Sequence, residues 1–432
     1  MKTSTFQIIL FTVFGLAALI GLFIFATYTS NRGSNGIGAV TIWGTLPKAD
    51  IAEALTAAAK IQTTLKDVSY VEKDPATLPT DLAAAIATGN APDLVLASQE
   101  ELHTLARFIT PIPPATLSAR TFADTFIEEG SLFAAPQGAG YYGIPLLVDP
   151  LVLFSNRSAL SSNGIPKPPA TWEALTGLVP HVALLTPGRQ ITRGLIALGT
   201  YDNIHNARAI LSTIFLQTGV SIAGYSDTGA LVADLGQDAA DSAPGKAVLG
   251  FYTQFADPSK VSYTWNASLP NSQQAFLAGD LALYFGYASE ARYLRAANPN
   301  LDFDVAPAPQ PATARAKSVY GLVYALMLPN GAKNPNSAYQ AAALLSNFAE
   351  PAFAGATGLA PATLSALAAP PPDPTATLAY AEALYAKGWL SPAPANTDAV
   401  FSGMINAVIS GRSTPDTALA SAESTLSQLM QQ

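Results

Sequence analysis

The chain has 432 residues, with 22 Lys+Arg against 30 Asp+Glu, so its formal net charge is −8 and its pI is near 4.9. This acidic balance argues against a nucleic-acid-binding protein. Hydrophobic residues make up 49% of the chain and charged residues 12%, which is typical of a core-forming globular protein, and the length predicts two domains. The absence of cysteine excludes disulfide scaffolds, thiolate zinc sites, iron–sulfur clusters and cysteine nucleophiles.

The N-terminus carries an apolar run over residues 8–26, interrupted only by Thr12. A helix needs about 20 such residues to span a bilayer, so we expect an uncleaved transmembrane signal anchor over 1–30. A flexible tether over 31–38 would then hold the rest of the chain outside the cytoplasm, at the cell membrane. A long, cleaved signal peptide is the alternative, although its expected small-x-small cut site is poorly formed here.

Strands and helices alternate along the first part of the chain. Val40-Thr41-Ile42-Trp43 predicts a short buried strand, and apolar residues from Ile51 to Leu65 then recur at helical spacing. Further strands are predicted at 68–71 and 94–96, and further helices at 81–88 and 100–108. This alternation predicts βαβ units and a parallel sheet, whose ligands gather beyond the carboxyl ends of the strands.

The second part begins with the apolar stretch 146–154, which is broken only by Asp149-Pro150. A proline inside a strand pattern marks a sheet edge or a crossing point. Helices are predicted downstream at 172–178, 189–199, 206–218, 244–256, 271–278, 288–297 and 336–348, and strands at 281–285, 302–307 and 321–328. Beyond these the chain is expected to be helical, apart from a proline-rich loop at 368–374.

Motifs for catalysis or for a bound cofactor are missing. The three histidines, His103, His181 and His205, are widely spaced and form no ligand pair, so neither a metal nor a cofactor is predicted. Adjacent carboxylates such as Glu128-Glu129 do not face one another on a helix and cannot flank one bond. The sequence therefore predicts a protein that is not an enzyme.

Several segments in a fixed order carry a family resemblance. Trp43 follows the first strand, and Ala91-Pro92-Asp93-Leu94-Val95 precedes a helix. The other segments are 142–149, 153–157, 164–175, 275–283 and 409–419. Together they resemble the family 1 extracellular solute-binding proteins of ABC importers, typified by maltose- and oligosaccharide-binding proteins, from Val40 to the C-terminus.

The resemblance implies an α/β, two-lobed, type II periplasmic-binding-protein-like fold that closes on its ligand by a hinge. Lobe one is expected at 39–148 and 304–348, and lobe two at 150–302 and 349–432. The implied function is an extracytoplasmic receptor, monomeric, which binds a small polar solute between the lobes and delivers it to an ABC permease. Carbohydrate is the favoured solute, although related families also bind polyols, glycerol phosphodiesters, peptides, polyamines and metal ions.

Sugars present C–H faces that stack on aromatic rings and hydroxyls that need polar partners. By similarity, Trp43 ends its strand at the cleft, and Tyr287 occupies a position that the family uses as an aromatic platform. The expected ligand-binding residues are Trp43, Gln99, Glu100, Tyr142, Asp149, Trp265, Tyr287, Tyr320, Trp389 and Asp398. For Trp265 and Trp389, packing in the core is at least as probable a role as ligand binding. Glu100 and Asp398 could instead be acidic residues that a helix N-terminus favours. Asp149 could instead cap a hinge turn.

Two other functions stay open on the sequence. An extracytoplasmic glycoside hydrolase would need two carboxyls about 5 to 10 Å apart across the cleft. A sensory or assembly module that keeps the lobes without a ligand would have a cleft filled by its own side chains.

Overall fold

The computed structural model describes residues 37–226, 229–236 and 243–431. The predicted transmembrane helix and residues 31–36 of the predicted tether lie outside these ranges. Within them, no helix is both long enough and apolar enough to cross a bilayer.

The described ranges form a mixed α/β structure. The strands are β1 Val40–Gly44, β2 Val68–Glu72, β3 Leu94–Ser98, β4 Gly143–Asn156, β5 Leu184–Leu185, β6 Ile191–Ile196, β7 Ile222–Tyr225, β8 Leu231–Asp234, β9 Leu281–Tyr287, β10 Phe303–Ala306, β11 Val319–Met327, β12 Ala360–Pro361 and β13 Ala386–Lys387. The helices are α1 Lys48–Ile61, α2 Leu78–Ala87, α3 Gln99–Leu105, α4 Ala119–Thr125, α5 Arg157–Ser161, α6 Trp172–Val182, α7 Ala207–Gln217, α8 Pro244–Thr253, α9 Ser272–Ala278, α10 Glu290–Ala297, α11 Pro335–Leu344, α12 Glu350–Thr357, α13 Leu364–Leu367, α14 Pro374–Ala383, α15 Pro394–Ile409 and α16 Pro415–Leu429.

The main sheet runs in the order β2-β1-β3-β11-β4-β9-β6-β5. Strand β1 pairs in parallel with β2 and β3, as the alternating pattern predicts, and β11 pairs antiparallel with β3 and β4. We call the part built on β2, β1, β3, β11 and the first half of β4 lobe one. The part built on the second half of β4, β9, β6 and β5 is lobe two.

Strand β4 joins the two lobes, because its partners change at its centre. Pro150 is opposite Gly321 of β11, whereas the next residue, Leu151, is opposite Tyr287 of β9. Every residue of β4 is buried, which fits its apolar sequence. The crossing point predicted at Asp149-Pro150 is thus confirmed, and the architecture is the two-lobed periplasmic-binding-protein-like fold that the resemblance implies.

The C-terminal half of the chain passes between the lobes again. Strand β10 pairs with the second half of β4, where Phe303 is opposite Asn156. Helix α12 packs against α1 of lobe one, and α15 and α16 pack against α8. The exact residue boundaries expected for each lobe stay a prediction.

One predicted helix is wrong, since residues 191–196 form strand β6 rather than part of a helix over 189–199. Gly194 lets this strand pack closely, because a Cβ atom there would lie 2.8 Å from the carbonyl oxygen of Thr264. Strand β6 lies parallel to β9, with Ile196 opposite Leu283.

Candidate functional site

Glu100 lies where the lobes meet, at the start of α3. Ser98 ends β3 and caps α3: its hydroxyl accepts a hydrogen bond from the Glu100 amide at 3.2 Å, while the Glu101 carboxylate accepts one from the Ser98 amide at 3.0 Å. Serine followed three residues later by glutamate is the capping-box pattern. Only 5% of Glu100 is exposed, so its carboxylate needs partners within the protein.

Arg208 of α7 supplies those partners from lobe two. Its Nε and Nη2 donate to the two carboxylate oxygens of Glu100 at 3.1 and 2.6 Å. Its Nη1 donates to Oδ2 of Asp398 at 2.9 Å and to the carbonyl oxygen of Pro394 at 2.8 Å. One guanidinium therefore ties α3 of lobe one to α7 and α15 of lobe two.

Two tyrosines complete this cluster. The Tyr320 hydroxyl donates to Glu100, and the Tyr201 hydroxyl donates to Oδ1 of Asp398 at 2.6 Å. Burial raises the pKa of Tyr320 well above its ordinary range, and the Glu100 carboxylate adds to that rise. Burial and the Asp398 carboxylate raise the pKa of Tyr201 in the same way. Both hydroxyls therefore keep their protons and act as donors.

A cavity of about 470 Å³ opens beside the cluster. Its wall includes the ring of Tyr287, which is half-buried, together with Arg208 and Asp398. Polar side chains make up much of the rest, and they are Tyr201, Asp202, His205, Asn206 and Ser402. An aromatic face surrounded by hydrogen-bonding groups suits a small polar solute.

Gly286 allows close packing at the end of β9, one residue before Tyr287. A Cβ atom at Gly286 would lie 2.7 Å from the ring of Tyr284 and 2.9 Å from that of Phe154. The missing side chain lets those two rings approach the end of β9. The backbone amide of Tyr287 is held by Oε1 of Glu290 at 2.9 Å.

Asp149 holds the junction between the lobes. Its carboxylate accepts hydrogen bonds from the amide and hydroxyl of Ser289, at 3.1 and 2.5 Å. Burial raises the pKa of Asp149 to about 7, against the lowering effect of these hydrogen bonds. In this conformation the side chain serves the turn that follows β9.

Three other expected residues lie in lobe one, and one of them, Gln99, touches the cluster, because its Nε2 donates to the Tyr320 hydroxyl at 3.4 Å. The Gln99 side chain is buried and bridges the backbone of β11, donating to the Gly321 carbonyl and accepting from the Val323 amide. The ring of Trp43 is half-buried beneath Lys73, whose Nζ lies 4.0 Å from its centroid. Tyr142 is half-buried just before β4, and burial raises the pKa of its hydroxyl.

Trp265 and Trp389 are core side chains, each 1% exposed. The Trp389 indole donates to the Ser212 hydroxyl at 2.9 Å. The Trp265 indole nitrogen is buried with no hydrogen-bond partner among the described residues.

The chain was also compared with known families and structures. Residues 51–384 match the model of the bacterial extracellular solute-binding proteins. The chain belongs to this family. Comparison with curated protein sequences gave no match.

Solved structures of other binding proteins share the fold of this solute-binding protein. A cyclo/maltodextrin-binding protein complexed with maltotetraose is 16% identical, with a TM-score of 0.72, over 93% of this chain and 99% of the other. The cyclic α-maltosyl-1,6-maltose-binding protein of Arthrobacter globiformis is 17% identical, with a TM-score of 0.72, over 91% and 98%. A protein with mannotriose bound is 20% identical, with a TM-score of 0.64, over 90% and 100%.

The fold thus brings Glu100, Tyr320 and Asp398 into one cluster and places Tyr287 beside it. Sequence reasoning missed Arg208, which connects them. A local signal was present: Arg208 is the only charged residue of α7 and lies in its first turn, where the helix dipole disfavours a cation. Among the described residues, no group of three His, Asp or Glu side chains could hold a metal ion.

Proposed function

We propose that this solute-binding protein captures a carbohydrate in the 470 Å³ cavity of lobe two, beside the contact between the lobes, and delivers it to the permease of an ABC importer. The observation that carries the proposal is the wall of that cavity, where Tyr287 lies together with hydrogen-bonding groups of the segment before α7 and of α15. Bound maltotetraose and mannotriose in proteins of the same fold support a sugar as the ligand. In the proposed site, Tyr287 stacks on a sugar ring and Asp398 and Asn206 bind hydroxyls.

The charges of the site favour a neutral solute. The Arg208 guanidinium is already bound by two carboxylates and a carbonyl oxygen, so it offers no uncompensated charge to an anion. Glu100 and Asp398 each accept hydrogen bonds from that guanidinium. A hydrolase would need one of its two carboxyls to deliver a proton, so the arrangement favours binding over catalysis.

Closure is proposed to depend on the same contacts. The ion pair between Glu100 and Arg208 crosses from lobe one to lobe two and stabilises the closed arrangement. A ligand that fits the closed form better than the open one would shift the population further. The hydrophobic run at 8–26 is proposed to anchor the receptor in the membrane beside its permease.

A second function is favoured by one observation. The side chains of Glu100, Arg208 and Tyr320 fill the contact between the lobes, as expected for a sensory or assembly module without a ligand. Binding measurements separate the two functions.

The test is calorimetry of the full chain, purified in detergent, against neutral malto-oligosaccharides, manno-oligosaccharides and polyols. We expect saturable binding of at least one sugar, and we expect Tyr287→Ala to weaken it at least 10-fold with little change in thermal stability. Tyr293→Ala is the matched control, because Tyr293 is 53% exposed on α10 and outside the cavity wall. Absence of binding by every sugar would contradict the carbohydrate proposal and favour the module.

A further inference from the structure

A second cavity, of about 450 Å³, lies between α10, α12 and α14. Its wall shares no residue with the cavity beside Tyr287. Helix α10 follows β9 of lobe two, whereas α12 packs on α1 of lobe one, so this cavity lies between elements of both lobes.

Two arginines of α10 face the cavity. Arg292 and Arg295 are three residues apart, so they are neighbours on one side of the helix, and both line the wall. Arg292 donates to the Ala356 carbonyl oxygen, and Nη2 of Arg295 donates to the Thr375 hydroxyl at 2.7 Å. Both acceptors are uncharged.

The positive charge of this pair is not balanced locally. In the described part of the chain, neither arginine lies within ion-pair distance of a carboxylate. The one acidic residue in the cavity wall is Asp373, whose Oδ1 accepts the Ala376 amide at 2.8 Å as the cap of α14. Two cations against one carboxylate leave a charge of 2 − 1 = +1 at the cavity.

The remaining wall is largely apolar. Ala288, Ala354, Leu359 and Pro371 face the space that the arginines border. A bare oxyanion would leave this surface uncovered, because the cavity volume falls in the range of about 300 to 1,000 Å³ that holds organic ligands. Guanidinium groups bind carboxylates and phosphates with paired, charge-assisted hydrogen bonds.

We propose that this cavity is a second ligand site, which binds a small organic anion with a carboxylate or phosphate head and an apolar body. Arg292 and Arg295 bind the head, and the alanine, leucine and proline side chains contact the body. The site is close to the junction of the lobes, since α10 begins one residue after Ser289, which hydrogen-bonds to Asp149. It does not depend on the proposed sugar site.

The experiment titrates the full chain with phenyl phosphate, benzoate and inorganic phosphate by calorimetry at constant ionic strength. We expect saturable binding of an aromatic anion and at least 10-fold weaker binding of inorganic phosphate. The stronger of benzoate and phenyl phosphate identifies the head group as a carboxylate or a phosphate.

Variants make the test specific. Arg295→Gln and Arg292→Gln should each weaken binding at least 10-fold, whereas Arg120→Gln should not, because Arg120 is an exposed lobe-one residue paired with Asp124. Tyr287→Ala should also leave anion binding unchanged, which separates this site from the sugar site. Absence of saturable binding, or equal affinities in Arg292→Gln, Arg295→Gln and Arg120→Gln, would overturn the proposal.

Discussion

Replacing Arg208 by methionine tests the contact that joins the lobes. Methionine keeps most of the apolar stem but removes every donor of the guanidinium. The Glu100 side chain, 7% exposed, would lose its ion pair and keep the Tyr320 hydroxyl as a side-chain donor. Asp398 would lose less, because its side chain is 48% exposed and water can replace the arginine.

The magnitude follows from burial. Breaking a buried ion pair by removing one partner costs about 3 to 5 kcal/mol, because an uncompensated charge is left in the interior. The exposed contact with Asp398 adds about 0.2 to 1 kcal/mol at most. We therefore expect Arg208→Met to destabilise the closed, folded state by about 3 to 5 kcal/mol, expressed as lobe separation, as lower stability to urea, or as both.

Urea unfolding measures the stability, and small-angle X-ray scattering measures the separation of the lobes. Arg157→Met is the control, since Arg157 is 52% exposed in lobe two and pairs with Asp302 and Asp304. It should lower the free energy of unfolding much less than Arg208→Met and leave the radius of gyration unchanged. Adding Glu100→Gln to Arg208→Met should recover part of the loss, because the unpaired carboxylate is then removed. Equal effects of Arg208→Met and Arg157→Met in both measurements would refute the reasoning.

Three further predictions concern the core and the junction. In urea titrations, Trp389→Phe should lower the free energy of unfolding by about 0.5 to 1.5 kcal/mol more than Trp265→Phe. The reason is that Trp389→Phe breaks the hydrogen bond to Ser212, whereas the Trp265 indole has no such bond to lose among the described residues. Equal losses of free energy in the two variants would contradict this prediction. Burial raises the pKa of Asp149 to about 7, so the folded state binds more protons than the unfolded state between about pH 4 and 7. The free energy of unfolding should fall as pH rises through that window, and Asp149→Asn should make the fall less steep; an unchanged slope would argue against this titration. Gly286→Ala should lower the free energy of unfolding by about 1 to 3 kcal/mol and weaken sugar binding, because the alanine Cβ would overlap the rings of Tyr284 and Phe154. Urea titration measures the first effect and calorimetry the second. Unchanged stability and affinity would argue against the packing role of Gly286.

Much of the fold could be predicted from local pattern. The Asp149-Pro150 break in an apolar run marks the point where β4 changes partners, since a proline there gives up no essential ladder hydrogen bond. The pattern of β6 was ambiguous, because the four-residue spacing of its apolar residues Ile191 and Leu195 also suits one face of a helix. Pairing with β9, in which Ile196 lies opposite Leu283, decided it, and no local pattern shows a partner so far along the chain.

The candidate site was predicted only in part for the same reason. Glu100 and Asp398 could be singled out by their places after a strand and near a helix start. Their shared partner, Arg208, is 108 residues from one and 190 from the other along the chain, so only the folded topology brings the three together. For Trp265 and Trp389, a choice between cleft and core needs the packing of lobe two, which the sequence around either residue does not reveal.

The most direct test of the proposed receptor is a crystal structure with the oligosaccharide that binds most tightly in calorimetry. We predict sugar density between α7 and α15, with a pyranose ring stacked on Tyr287 and hydroxyls within hydrogen-bond distance of Asp398. Density for the sugar in another place, with the cavity beside Tyr287 empty, would contradict the account.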